Sequence, residues 1–422
     1  MPSRASGGTE GPGPRTAGRR PLSFGRLFGG TWLSYTSYGV LLAVLPLAEL
    51  SEGGGPLLAT LVVGAPLLAQ TLASFGWGWL ADRTGARRLP LVGATLLEAP
   101  LFAAFPLLGP GGLFAARVVQ SALFGAIVLA TTQATEDPRA STGFLLGRLQ
   151  LAQSAGMLSG IALSFPLLLG GSFRLQSTDG VELSLLLAAL TVAAAAVFAG
   201  SGEVVRPAPL PTPSRFGVAS HRRVFYLAGA TTAVATARYV AVAAIPVYLA
   251  ASLAAGGFFG LPLNATAQLA LWVAIASAFN LVAAPFSGRW AERPETRRRS
   301  LLAFALLYAA IWAALAATPS YPVAFGVWIL PVAVFFTVAG VREAAAASAP
   351  AERGRAVGLL TAAFNLGGLL GGVAAGLLLA AAVPARTVFL ITAVSSLGAA
   401  LLFVPFLLRS RGDPRPVRTS GS

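Results

Sequence analysis

The chain has 422 residues, of which 55% are apolar and only 11% charged, and its mean hydropathy is +0.74. A soluble globular protein carries about 25% charged residues, so this composition excludes a disordered chain and argues against a soluble enzyme. All 30 basic residues are arginine, 15 acidic residues leave a net charge of +15, cysteine is absent and His221 is the single histidine; disulfides, Cys/His zinc sites and iron–sulfur clusters are therefore not expected, nor is any other cofactor.

In chain order, residues 1–26 are rich in Gly, Pro, Ser and Arg and read as a disordered tail. Twelve predominantly apolar stretches follow, at 27–48, 57–80, 89–108, 112–134, 145–168, 183–201, 224–250, 267–288, 300–318, 322–343, 357–381 and 387–408. Each is close to the roughly 20 residues that an α-helix needs to cross a bilayer. Strands of a membrane barrel would alternate in polarity, whereas Leu183 to Phe198 is apolar on every side. In lipid such a run satisfies its own backbone hydrogen bonds only as a helix. The expected fold class is an all-α membrane protein with twelve transmembrane helices in two pseudo-symmetric six-helix bundles. The N-terminal bundle spans 27–202, a cytoplasmic linker 203–223 carries Pro207, Pro209, Pro211 and Pro213, the C-terminal bundle spans 224–409, and 410–422 is a second tail.

The arginines sort by side. With the N-terminus inside, the tails and alternate loops on one face hold 25 of them, and the opposite loops hold Arg174 and Arg386. This bias places both termini in the cytoplasm of a multi-pass protein of the cytoplasmic membrane. The positive charge is thus topological; the bilayer is the expected partner and nucleic acid is not.

The two halves repeat. Gly78, Asp82, Arg83, Gly85, Arg87 and Arg88 follow the second span, and Gly288, Glu292, Arg293, Arg297 and Arg298 follow the eighth at a constant offset of 210 residues. The second copy has Glu295 where the first has Gly85. Leu45-Pro46 in span 1 matches Ile245-Pro246 in span 7, and Arg139-Ala140 before span 5 matches Arg355-Ala356 before span 11. Duplicated halves of equal span number are common among secondary transporters, whose site lies between the repeats near the midplane.

The 78–88 segment resembles the loop signature G-x-x-x-D/E-R/K-x-G-x-R/K-R/K of the major facilitator superfamily, with every defined position filled. Arg117-Val-Val-Gln120 resembles that family's second motif, R-x-x-Q-G, with Ser121 in place of the glycine. The resemblance covers about residues 24–409. It implies a secondary transporter that moves a small organic solute by alternating access. It also implies that Gly78, Asp82, Arg83 and Arg88 form a conformational latch, with Glu292 and Arg293 in a weaker copy. Gly78 would let a neighbouring helix approach closely. In span 5, Gly156 is followed by Met157 where antiporters of the family carry proline, which weakens an antiport assignment.

Charge inside a membrane span is the best pointer to a site. Glu98 in span 3, Arg117 in span 4 and Arg238 in span 7 qualify, and Glu49 lies nearer a span end. Arg117, Gln120, Ser121 and Phe124 share a stripe of span 4; Thr231, Thr232, Arg238 and Tyr239 share one of span 7; Tyr35 and Tyr38 share a face of span 1. In the resembled family spans 1, 4, 7 and 10 line the cavity, so Tyr35, Tyr38, Arg117, Gln120, Arg238 and Tyr239 are the expected substrate-binding residues. Two arginines suit an anionic solute. Glu98 is a candidate proton carrier or a hydrogen-bonding neighbour; counted along the helices it sits about 12 Å from the level of Arg117, so contact between them is not expected. Gln70, Asn280, Trp328 and Asn365 are lining residues or helix–helix glue. Glycine stripes at Gly156 and Gly160 and at Gly367, Gly368, Gly371, Gly372 and Gly376 allow close helix approach. No catalytic constellation or P-loop is visible, so the chain reads as a non-enzyme, powered by a gradient and expected to be a monomer. The competing class is a transporter-like receptor or scaffold that binds without transport.

Overall fold

A computed structural model describes residues 24–51, 53–84, 88–130, 142–170, 180–200, 218–248, 263, 265–317, 321–328, 330, 332–347 and 353–405. The helices are α1 (Phe24–Ser51), α2 (Gly55–Thr84), α3 (Arg88–Ala104), α4 (Pro110–Phe124), α5 (Thr142–Gly170), α6 (Gly180–Gly200), α7 (Val218–Tyr248), α8 (Ala265–Trp290), α9 (Pro294–Ala317), α10 (Tyr321–Trp328), α11 (Val332–Ala346), α12 (Arg353–Ala380) and α13 (Ala385–Leu401). A short 3-10 turn, Gly125–Ile127, prolongs α4, which crosses as one apolar unit to Ala130. No strand occurs among the described residues.

Among the described residues ten helical stretches are long and apolar enough to span a bilayer, and α6 and α13 contain two shorter apolar stretches, Glu182–Phe198 and Ala385–Leu401. Large apolar side chains such as Leu107, Leu190, Val197, Val282 and Val394 are exposed on the outside of the bundle. In water that surface would be a liability; against lipid tails it costs nothing. The tenth span is described as two helices, α10 and α11, with Leu330 non-helical between them. Helix α7 begins at Val218, so the end of the expected linker, His221 to Arg223 included, is helical.

The halves are symmetric in their packing. Helix α1 packs on α5 and α6, and α7 packs on α12 and α13; α3 packs on α6, and α9 on α13. Between the halves, α2 packs on α12 and α5 on α8. The correspondence extends to single residues. A Cβ built on Gly156 would strike the Trp32 carbonyl oxygen and lie 2.7 Å from the Tyr35 Cβ and 3.1 Å from the Thr36 nitrogen. One built on Gly367 would lie 2.5 Å from the Thr232 carbonyl oxygen and the Ala235 Cβ and 2.9 Å from the Thr236 nitrogen. Residues 32, 35 and 36 of α1 thus match 232, 235 and 236 of α7, at the same offset of 200 that relates Pro46 to Pro246. The other stripe of α12 faces the opposite half: Gly372 would meet the Gly64 Cα at 3.0 Å, and Gly376 would strike Thr60. Both glycine seams are therefore places where backbone touches backbone.

Candidate functional site

The centre of the bundle is an aromatic and cationic cluster drawn from both halves. On the N-terminal side, Tyr38 stacks on Phe124 with ring centroids 5.1 Å apart, and Tyr35 meets Phe124 edge-on at 5.2 Å and Tyr38 at 5.9 Å. On the C-terminal side, Tyr239 meets Phe364 of α12 edge-on at 5.8 Å. The Arg238 guanidinium lies 5.2 Å from the Tyr239 ring and 5.7 Å from the Phe364 ring. Such placement attracts a cation through the negative face of the ring. Arg238 is also within electrostatic reach of Tyr38 and of Tyr308 on α9. Tyr35, Tyr38, Arg238 and Tyr239 are partly accessible, while their neighbours Ser37, Gly39, Ala237 and Val240 are buried. Among the described residues no carboxylate forms an ion pair with Arg238.

Arg117 and Gln120 occupy a different environment. Both are buried, at 2% and 0% exposure. Arg117 donates to Gln120 Oε1 and to Ser121 Oγ at 2.7 Å, and its guanidinium lies 5.1 Å from the Tyr38 ring centroid. Gln120 Nε2 donates to Glu98 Oε2 at 2.9 Å. Glu98 and Arg117 form no direct ion pair among the described residues; the one amide of Gln120 joins them. The stripe of span 4 turns partly toward α3, and Arg117 meets the aromatic cluster at Tyr38.

The hydroxyls of span 7 also divide. Thr232 Oγ1 donates to the carbonyls of Ala228 at 3.1 Å and Ala363 at 3.0 Å, tying α7 to α12, and Thr231 is buried. Asn365 Nδ2 donates to Thr71 Oγ1 at 2.7 Å and so ties α12 to α2 across the two halves. Glu49 is fully buried beside Gly54, and neither carboxylate oxygen has a hydrogen-bond partner among the described residues.

At the end of the bundle that carries the signature loops, Asp82, Arg83 and Arg88 lie outside the residues whose side chains are described. A Cβ built on Gly78 would meet nothing within 4 Å among the described residues, so none of these makes the expected close approach there. The same is true of Gly358 at the start of α12. In the second half, Glu292 and Arg293 are exposed. The contacts are made instead by residues further along the motif. Glu343 at the end of α11, 1% exposed, accepts from Arg297 Nε at 2.7 Å, Arg223 at 2.9 Å and Arg298 Nε at 3.2 Å. Sequence reasoning missed Glu343 because it stands at the last position of an apolar span, where a charge reads as a boundary. It also missed Tyr308, although an offset of 210 makes Tyr308 the counterpart of Glu98.

The family model described as Major Facilitator Superfamily matches residues 27–341 and 227–422. A comparison with the curated proteins finds no match. Among solved structures, the human organic anion transporter MFSD10 (TETRAN) superposes with a TM-score of 0.69 at 15% identity, covering 90% of this chain and 98% of that one. A POT family transporter in complex with 5-aminolevulinic acid gives a TM-score of 0.72 at 14% identity, covering 92% and 96%. A bacterial homolog of the human lysosomal transporter Spinster, in an inward-facing and occupied conformation, gives 0.67 at 15% identity, covering 93% and 98%. At these identities the likeness establishes the fold.

Proposed function

The chain belongs to the major facilitator superfamily and is a multi-pass membrane transporter, and from that premise we propose that it carries a small organic anion across the cytoplasmic membrane by alternating access, with both termini inside. The observation that carries this reading is Arg238. A guanidinium in the middle of a membrane costs at least about 2.5 kcal/mol, and this one is partly accessible with no carboxylate paired to it among the described residues. Its aromatic neighbours soften the cost, Tyr239 sharing a side-chain hydrogen bond with it, and no carboxylate among the described residues occupies its fork, which suits a solute carboxylate or phosphate. Tyr35, Tyr38 and Tyr239 form the walls beside it; Arg117 and Gln120 support the wall from behind through Tyr38.

Alternating access is supported by the seam between α2 and α12. It is closed at Gly64 and Gly372 and tied at Thr71 and Asn365, and no described atom lies within 4 Å of a Cβ built on Gly78 or Gly358. A pair of helices in close contact at one level and without a described contact at another is suited to rocking. Asp82, Arg83 and Arg88 serve as the latch that draws those ends together when the site faces outward. In the second half the latch is Glu343 with Arg223, Arg297 and Arg298, in place of Glu292 and Arg293. Glu98 is the proton carrier of this reading: its charge reaches Arg117 through Gln120, and from there the cavity wall at Tyr38.

The test is uptake into proteoliposomes of a panel of labelled organic solutes, with and without a pH gradient, for the native protein, Arg238→Lys and Arg238→Ala. Lysine keeps the charge but loses the two-pronged donor geometry. Both variants are expected to lower uptake and affinity, Ala more than Lys. Unchanged affinity in Arg238→Ala would refute the assignment.

A further inference from the structure

Resting on that reading of the central site, we infer that the solute is a monoanion built on a flat, unsaturated ring. The first part comes from charge. Three ionisable side chains reach the central cluster: Arg238, Arg117 and Glu98. Glu98, when ionised, offsets Arg117 through the single amide of Gln120, which accepts from one and donates to the other. Arg238 has no such carboxylate among the described residues. With Glu98 ionised, the cluster therefore holds one uncompensated positive charge among the described residues. A solute with one negative charge neutralises it. A dianion would bring a second charge with no partner into a water-poor site, and a cation would meet repulsion; both are penalised, as any unpaired charge is when taken from water.

The second part comes from shape. The walls are rings on both sides of the pseudo-twofold axis: Tyr38 stacked with Phe124 on one, Tyr239 set edge-on to Phe364 on the other. Arg238 bridges them, above Tyr239 and Phe364 and within electrostatic reach of Tyr38. Stacked and edge-on geometries reward a flat π-system over a puckered ring of the same size. The repeat sharpens the point. Position 38 of α1 corresponds to position 238 of α7. An otherwise symmetric pair of helices thus presents a ring from one half and a cation from the other, which suits a solute with a ring at one end and a charge at the other.

Four probes separate the possibilities: phenylacetate, homophthalate as the aromatic dianion, phenethylammonium as the aromatic cation, and cyclohexylacetate as the saturated monoanion. Binding is measured by displacement of labelled phenylacetate from the purified protein in nanodiscs, and directly for each labelled probe. Phenylacetate is expected to bind tenfold or more (about 10–100-fold) tighter than homophthalate and phenethylammonium, and about two- to tenfold tighter than cyclohexylacetate. Arg238→Gln should abolish the preference for phenylacetate over neutral benzyl alcohol. Glu98→Gln, which leaves Arg117 unbalanced, should narrow the gap between phenylacetate and homophthalate. Equal binding of the cation or the dianion overturns the inference, as does failure of every probe to bind at millimolar concentration. The transport reading fails separately. Saturable vesicle uptake of phenethylammonium would leave a transporter with the wrong class assigned. The expected selectivity in nanodiscs, with no counterflow of phenylacetate in vesicles, would leave the class standing and transport refuted.

Discussion

Replacing Gly371 by alanine tests whether the glycine seam between α7 and α12 is a contact that tolerates no side chain. The new Cβ would lie 2.5 Å from the Thr236 carbonyl oxygen, 2.7 Å from the Tyr239 Cβ and 2.9 Å from the Val240 nitrogen. Real Cβ atoms essentially never come within 3.0 Å of such atoms. The helices must therefore part by at least about 0.5 Å, or α12 must rotate, and two of the three obstacles are backbone that cannot swing aside. Inserting a methyl into a packed core costs about 1–3 kcal/mol. The displaced residue on α7 is Tyr239, so the Arg238 site shifts with it. Gly229 is the control: it lies on the same helix, is exposed, and has nothing within 4 Å of a built Cβ. There alanine should stabilise by about 0.5–1 kcal/mol, because glycine loses more backbone freedom on folding. The assay is thermal unfolding of both variants in one detergent, followed by size-exclusion fluorescence, with solute binding measured on the survivors. Gly371→Ala should melt below the native protein and bind solute more weakly, and Gly229→Ala should melt at or above it. If Gly371→Ala is as stable as Gly229→Ala, the seam is looser than the backbone distances say and the reasoning is refuted.

Glu343→Gln leaves Arg223, Arg297 and Arg298 gathered around a neutral amide. Breaking a buried ion pair from one side costs about 3–5 kcal/mol, and exposure of Arg223 to water brings the expected loss toward the low end; melting in detergent checks it, and an unchanged midpoint contradicts the cluster's role. Glu98→Gln keeps a side chain able to bond Gln120 but removes the exchangeable proton, so solute counterflow should persist while accumulation driven by a pH gradient is lost. Retained gradient-driven accumulation would remove Glu98 as the proton carrier. Asp82→Asn should lower net transport while solute affinity stays near native, with cross-linking at the two ends of the bundle reporting a shifted conformational balance; lost affinity with an unshifted balance would count against the latch.

Much of the fold was legible because its determinant is crude. Twenty apolar residues in a row suffice to define a span, and the arginine-rich loops punctuate the runs. The glycine stripes were legible as close-approach seams, since only backbone contact gives Gly156, Gly160, Gly367 and Gly371 that spacing a purpose. What periodicity could not reveal was the neighbour each stripe faces. Arg117 and Gln120 share a stripe of span 4 that looks fit for a cavity, yet Gln120 turns to Glu98 on α3. A helical stripe specifies a direction on its own helix and nothing about the helix opposite. Span ends were equally opaque: His221 to Arg223 read as linker although α7 already includes them, and Glu343 read as a boundary although three arginines converge on it.

The repeat explains why the site is where it is. Positions that hold helices together are matched between the halves: Thr36 and Thr236 face Gly160 and Gly371, and Pro46 and Pro246 recur at the same offset. Two halves with matched packing can exchange equivalent tilts about one axis, which is the mechanical requirement for a site that opens to either side. A cavity on such an axis would show the same chemistry on both walls if every position were matched. It does not, because positions 38 and 238 carry Tyr and Arg, and 98 and 308 carry Glu and Tyr. The mismatched positions all reach the central cluster. On the function proposed above, symmetry in the seams serves the motion, and its loss at these four residues gives a solute that is charged at one end a single way to lie across the axis.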